Sequence, residues 1–84
     1  MTIATDPAAL TDLVLDAYRD ALGDPGLDRD SDFFEAGGDS LAAFQITDRL
    51  RGALGVEVAV ALVFTHPTPA ELAEVVAEDL AAVR

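Results

Sequence analysis

Glycine and proline cut this chain at fixed places, and what lies between the cuts decides the architecture. The breaks are Asp6-Pro7, Gly23-Asp24-Pro25-Gly26, Gly37-Gly38, Gly55, and Pro67 with Pro69. The longer stretches between them repeat their apolar residues at helical spacing. In the first, Asp6 is placed as N-cap and Pro7 as the first helical residue. Leu10, Leu13, Val14, Ala17, Tyr18 and Ala21 then return on one face, with Asp12, Asp16, Arg19 and Asp20 opposite. Leu15 and Leu22 fall off that stripe. Gly23 ends the helix and Asp24-Pro25-Gly26 turns the chain.

The second stretch can be capped by Asp39 or Ser40, and Ala, Leu, Gln and Arg sustain it to about Leu54, where Gly55 stops it. Val56 to Val60 alternates as a strand would. No second strand-like segment exists to pair with it, and an isolated strand leaves its backbone unsatisfied. An extended loop, then a short helical turn around Val60 to Phe64, is the expectation. Thr68-Pro69-Ala70-Glu71 spells a capping box. Leu72, Val75, Val76, Leu80 and Val83 give the last helix its apolar face. The fold class that follows is all-α: three main helices and one short one, a four-helix bundle forming one domain over residues 1–84. The connection 23–38 holds Leu27, Phe33 and Phe34, so it reads as an ordered loop pinned to the core by those side chains. Long ordered loops of this kind are often functional. Tyr18 and Phe64 read as core, and His66 as a turn or cap residue.

Composition narrows the function. Sixteen acids against five arginines give a net charge of −11, which argues against nucleic acid, whose phosphates reward basic residues. Without cysteine there is no disulfide framework and no Cys-based zinc or redox site. A single histidine excludes a His cluster. The longest apolar run, Val58 to Phe64, is far short of the roughly 20 residues of a membrane span. The N-terminus lacks a basic segment followed by an apolar one, so no secretory signal is visible, and the cytoplasm is the expected compartment. A domain of this size buries only about 60% of its unfolded surface. A water-excluded catalytic cleft is hard to house in it. A monomeric platform that other proteins act upon is easier.

On a helical wheel the second helix divides. Ala43, Ile46, Leu50, Ala53 and Leu54 share the core side, with Thr47 at its margin. Leu41, Phe44, Asp48 and Arg51 lie on the other side, near Ser40. Two large apolar side chains flanking one hydroxyl suggest a docking patch; the alternative is that the long loop folds over them. Ser40 itself is either an N-cap or a site for covalent phosphate, which a helix N-terminus stabilises. Glycines before it permit unusual backbone angles and close approach by another protein.

Phe33-Phe34-Glu35-Ala36-Gly37-Gly38-Asp39-Ser40-Leu41 resembles the attachment motif of the peptidyl carrier proteins of nonribosomal peptide synthesis, within the wider acyl carrier protein family. The resemblance runs from the first helix through His66-Pro67-Thr68-Pro69 to Glu71-Leu72-Ala73. It implies that Ser40 carries a 4′-phosphopantetheine arm, with Gly38 and Asp39 shaping the site. A phosphopantetheinyl transferase would install the arm from coenzyme A with Mg²⁺. An adenylating or acylating enzyme would load its thiol as a thioester, and condensation or tailoring enzymes would act downstream. Thiol chemistry without cysteine is thereby explained, because the thiol arrives with the cofactor. Residues 40–54 contain one acid, Asp48, and two bases, Arg49 and Arg51. That is similar to peptidyl carriers rather than to fatty-acid carriers with their acidic second helix. Leu41 and Phe44 would supply apolar docking contacts, Arg49 and Arg51 orientation, and Ala61, Leu62 and Phe64 an extension of the surface. Asp39 departs from the His of many peptidyl carriers and resembles carriers beside epimerisation domains, and also fatty-acid and polyketide carriers. Met1 and the end after the last helix look like a free-standing carrier, and an excised domain is equally compatible.

Three other readings compete. Gly38-Asp39-Ser40-Leu41 also spells the name motif of the GDSL esterases, which would make Ser40 a nucleophile. That family's base stands in Asp-x-x-His, and here position 63 is Val63 ahead of His66. Asp28, Asp30, Asp32 and Asp39 fit part of a calcium-loop frame, but Phe33 stands where the sharp turn needs Gly. An acidic helical interaction module without a prosthetic group would use charge alone.

Overall fold

The computed structural model describes residues 6–82. It contains four helices: α1 (Pro7–Leu22), α2 (Ser40–Leu54), α3 (Ala61–Thr65) and α4 (Pro69–Ala82). No strand occurs among the described residues. α1 packs against both α2 and α4, and the short α3 bridges α2 and α4. Val83, expected on the apolar face of α4, lies outside the described residues.

The ends of the helices follow the chemistry of their caps. Before α1 the Asp6 carboxylate accepts the amide of Ala8 at 3.1 Å, and Pro7 needs no partner for a missing N–H. α1 and α2 both close on a glycine in the left-handed region, Gly23 at φ 65° and Gly55 at φ 73°, where a Cβ would be strained. Before α4 the Thr68 hydroxyl accepts the amide of Glu71 at 3.1 Å and donates to the Glu71 carboxylate at 3.2 Å. The capping box is thus made on its N-cap side. Residues 55–59 run without helix or strand and drop Val58 into the core.

One core results. It takes Leu10, Val14, Ala17 and Tyr18 from α1, Ala43, Ile46 and Leu50 from α2, Val63 from α3, and Leu72 and Val76 from α4. Thr47 is buried among them and satisfies its hydroxyl by donating to the Phe44 carbonyl at 3.1 Å. Two expectations fail here. Ala53 sits on the core side of the wheel yet is exposed. Its methyl is too short to close the shallow groove it lines with Ala9, Leu13 and the half-buried Leu54. Phe64 is not core either: it is 37% exposed.

The connection between α1 and α2 is ordered, as its apolar residues require. Leu27 and Phe33 are buried; burying a side chain of this kind stabilises by about 1.5–3 kcal/mol. Hydrogen bonds to backbone carbonyls then sew the loop down. Arg19 Nε donates to the Leu27 carbonyl at 3.0 Å, and Ala70 N donates to the Arg29 carbonyl at 3.0 Å. The Phe33 amide and the Tyr18 hydroxyl both donate to the Pro67 carbonyl, each at 2.9 Å. Phe34 departs from the expectation: it is 52% exposed. Phe33 points inward, and its neighbour stacks instead on Phe64, with ring centroids 5.9 Å apart and an interplanar angle of 25°.

Burial pushes the Tyr18 hydroxyl well above the usual tyrosine range, and the carboxylates of Asp32 and Glu71 push it the same way. The unfolded chain would lose that proton near pH 10. Above this value it holds fewer protons than the folded chain, so stability falls as pH rises. The chain has no lysine or cysteine and one tyrosine, so Tyr18 dominates alkaline titration. Urea melts should show stability declining above about pH 10 in the wild type and flat in Tyr18→Phe, which at neutral pH is less stable by about 1 kcal/mol for the lost hydrogen bond.

Candidate functional site

Asp39, not Ser40, caps α2. Asp39 has an extended backbone (φ −134°, ψ −175°), and its carboxylate accepts the amide of Ala42 at 2.9 Å. Its carbonyl accepts the amide of Ala43 at 2.9 Å. Ser40 is therefore the first helical residue. It is exposed, and its hydroxyl has no hydrogen-bond partner among the described residues. The first amides of α2 have no intrahelical acceptors, and the positive end of the helix dipole lies beside the hydroxyl. A nucleophilic oxygen that takes up a negatively charged group suits that position.

The two preceding glycines differ. Gly37 has φ 87°, which side chains rarely adopt, and its Cβ position is open. Gly38 has an ordinary backbone, but its Cβ position is filled by the ring of Phe33. The Gly38 amide also donates to the Phe33 carbonyl at 2.9 Å, closing the turn that leads into Asp39.

The apolar residues expected to flank Ser40 are indeed outside. Leu41 is 64% and Phe44 59% exposed, so the loop does not fold over them. Phe44 edges an open hollow of about 290 Å³ with Thr47, Asp48, Arg51, Glu57 and Val60. Phe34 and Phe64 add a second exposed apolar surface between the loop and α3. Phe34 was not legible as a surface residue from apolarity alone. Its adjacency to Phe33 signals that the two rings compete for the core, but not which of them stays outside. Ala61 is exposed and Leu62 is half-buried against the core.

The two arginines separate. Arg51 pairs with Asp48 on its own helix, beside Phe44. Arg49 instead pairs with Asp20 of α1, across the bundle and in a different hollow. Both pairs are half-exposed, so they add little stability. His66 ends α3, with its Nδ1 2.9 Å from the Thr65 hydroxyl. In the loop, the Asp28 carboxylate accepts the Asp30 amide, and the Asp32 carboxylate accepts the amides of Phe34 and Glu35. These acids shape turns. Among the described residues no cluster of His, Cys, Asp or Glu could hold a metal ion.

The family described as phosphopantetheine attachment site matches residues 12–76. The chain belongs to that family. A spectinabilin polyketide synthase system protein of Streptomyces orinoci is 45% identical over 76 residues, covering 87% of this chain and 2% of that protein. A dimodular nonribosomal peptide synthase of Bacillus subtilis is 41% identical over 63 residues, covering 75% of this chain and 3% of that one. The chain thus spans only a few per cent of the length of the curated relatives it matches. Among solved structures, the type-II acyl carrier protein BlmI of Streptomyces verticillus superposes with a TM-score of 0.86 at 25% identity, over 90% of this chain and 92% of that one. A nonribosomal peptidyl carrier domain does so with a TM-score of 0.71 at 35% identity, over 89% and 88%.

The protein is therefore a carrier domain, homologous to the peptidyl carriers of nonribosomal synthetases and the acyl carriers of polyketide synthases. The cofactor of this family is covalently attached 4′-phosphopantetheine. Such domains are generally non-catalytic and work with synthetase enzymes. The described residues form an all-helical bundle, whereas the esterase alternative needs a parallel sheet. No described helix is long and apolar enough to cross a membrane.

Loss of the Asp39 cap should be measurable apart from any activity. Asp39→Ala is expected to destabilise the fold by about 1 kcal/mol in urea melts, and Asp39→Asn by only a few tenths.

Proposed function

We propose that Ser40 is the attachment point of the phosphopantetheine arm, and that the chain carries aminoacyl, peptidyl or related acyl intermediates as thioesters on it. The carrying observation is that Asp39 takes over the capping role, which leaves the exposed Ser40 hydroxyl free at the positive end of α2. The residues present fit a covalently held phosphate. Ser40 Oγ attacks the phosphorus of coenzyme A that bears the pantetheine. The Oγ–P bond forms as the pyrophosphate P–O bond breaks, the serine proton passes to a base of the transferase, and adenosine 3′,5′-bisphosphate departs. Mg²⁺ held by the transferase would supply neutralising charge for that leaving group. Once attached, the arm supplies a terminal thiol. Everything else this chain contributes is presentation: Asp39 and Gly38 hold Ser40 outward, and Leu41, Phe44 and Phe64 offer apolar contact, with Arg51 beside Phe44. Catalysis belongs to the partners.

A peptidyl cargo is favoured by the nearly neutral α2 and its two large exposed apolar residues, Leu41 and Phe44. The partners would then be an adenylating enzyme and condensation or tailoring enzymes, in the cytoplasm. An acyl cargo of polyketide type is the second reading. It is supported by Asp39 and by the 45% identity to the polyketide system protein. Incubation with adenylating and with acylating enzymes separates the two.

Intact-protein mass spectrometry after incubation with coenzyme A, Mg²⁺ and a broad-specificity phosphopantetheinyl transferase tests the site. One phosphopantetheine should add to the wild type and none to folded Ser40→Ala. No addition to the folded wild type overturns the proposal. On the arm-bearing protein with its thiol free, Phe44→Asp should leave the melting temperature nearly unchanged, because Phe44 is 59% exposed. It should reduce aminoacylation by the partner roughly tenfold, as loss of an apolar interface anchor does.

A further inference from the structure

Phe33 sits at the junction of everything that precedes Ser40. Its ring is fully buried, with Tyr18, Phe34 and Phe64 edge-on at centroid distances of 6.0, 5.6 and 6.0 Å. Its backbone is held on both sides: the amide donates to the Pro67 carbonyl, and the carbonyl accepts the amide of Gly38. Gly38 then lies against the ring itself. A Cβ built there would stand 2.4 Å from Cζ, 2.5 Å from Cε2 and 2.6 Å from Cε1 of Phe33. These atoms are the far end of a side chain, which could ordinarily swing aside. Here three other aromatic rings hem it in, so a methyl group at position 38 must displace the chain instead.

The backbone of Gly38 makes no such demand, because positive φ values belong to Gly23, Gly37 and Gly55. Glycine at 38 therefore answers to the ring. Its Cβ position faces the core, so the missing side chain does not open a path to an approaching enzyme there. We infer that Phe33 is a positioning residue for the modification of Ser40, seating Gly38 and hence the start of α2 on a ring anchored to the turn between α3 and α4. The inference rests on the reading of Ser40 as the attachment point. It assigns to a packing contact the role that the sequence pattern alone would give to an interface with the transferase.

A double-mutant cycle reads this out. Phe33→Leu lacks the Cε and Cζ atoms that a Cβ at position 38 would strike. Phosphopantetheine transfer is measured for wild type, Gly38→Ala, Phe33→Leu and the double variant, with coenzyme A, Mg²⁺ and the same transferase, and folded fractions are taken from circular dichroism. Gly38→Ala should lower kcat roughly tenfold to a hundredfold with the carrier's KM unchanged, as a misplaced nucleophile does. In the Phe33→Leu background the same change should alter kcat less than about twofold, because the two residues act through one contact. Equal fold-losses in both backgrounds would mean that Gly38 meets the transferase directly, and would overturn the inference. So would a loss confined to KM, which marks a smaller folded population and no misplacement. Should Gly38→Ala alone not fold, Phe33→Leu decides: kcat falls on a folded protein with KM unchanged, or the inference fails. A folded wild type that takes no arm removes the Ser40 reading and this one with it. A wild type that is modified while the cycle is additive removes this one alone.

Discussion

The carbonyl of Pro67 accepts two hydrogen bonds, from the Tyr18 hydroxyl and from the Phe33 amide, each at 2.9 Å. Three parts of the chain that share no helix meet there: the middle of α1, the long loop, and the turn between α3 and α4. A proline carbonyl suits this use. The residue has no N–H of its own, and its carbonyl lies outside any helical ladder and so keeps both lone pairs free. The bond also fixes where Tyr18 stands, and with it the edge-on contact between Tyr18 and Phe33. A domain with so small a core gains most from contacts that tie distant segments at one point, because each closes a loop whose entropy is otherwise unopposed.

From that point the attachment region is built outward. Phe33 is held by Pro67, Gly38 by Phe33, and Asp39 follows Gly38 into the cap of α2. The division of labour between Asp39 and Ser40 is the chemical outcome. A serine that capped the helix would spend its oxygen on an amide. With aspartate in that place, the hydroxyl stands free at the positive end of the helix. The exposed apolar side chains of Leu41 and Phe44 lie near this hydroxyl, while the negative charge sits mainly on α1, α4 and the loop. A net charge of −11 opposes association between copies.

How far the sequence carried can be judged residue by residue. Helix ends were legible because Asp6-Pro7, Gly23, Gly55 and Thr68-x-x-Glu71 act through bonds to their immediate neighbours. The buried faces of α1 and α4 were legible from period, and Ile46 and Leu50 likewise. Ala53 was not, because whether a methyl is covered depends on the length of the side chains opposite. Phe34 and Phe64 were not, because which of several rings takes an inward slot depends on the shape of that slot once the helices are packed. Arg49 could be placed near Asp20 only with α1 and α2 docked.

The sequence by itself determined the number of helices, their boundaries, the family and the nine residues around Ser40. All of these rest on short-range chemistry: caps, glycines, prolines and apolar period, which act within a few residues. The tertiary structure alone decided that Asp39 and not Ser40 takes the cap, that Phe33 goes in while Phe34 stays out, and that Gly38 makes room for a ring. Those outcomes depend on which surfaces meet. A side chain cannot reveal its partner across the fold until the long loop has closed and the Pro67 carbonyl has drawn its two donors together.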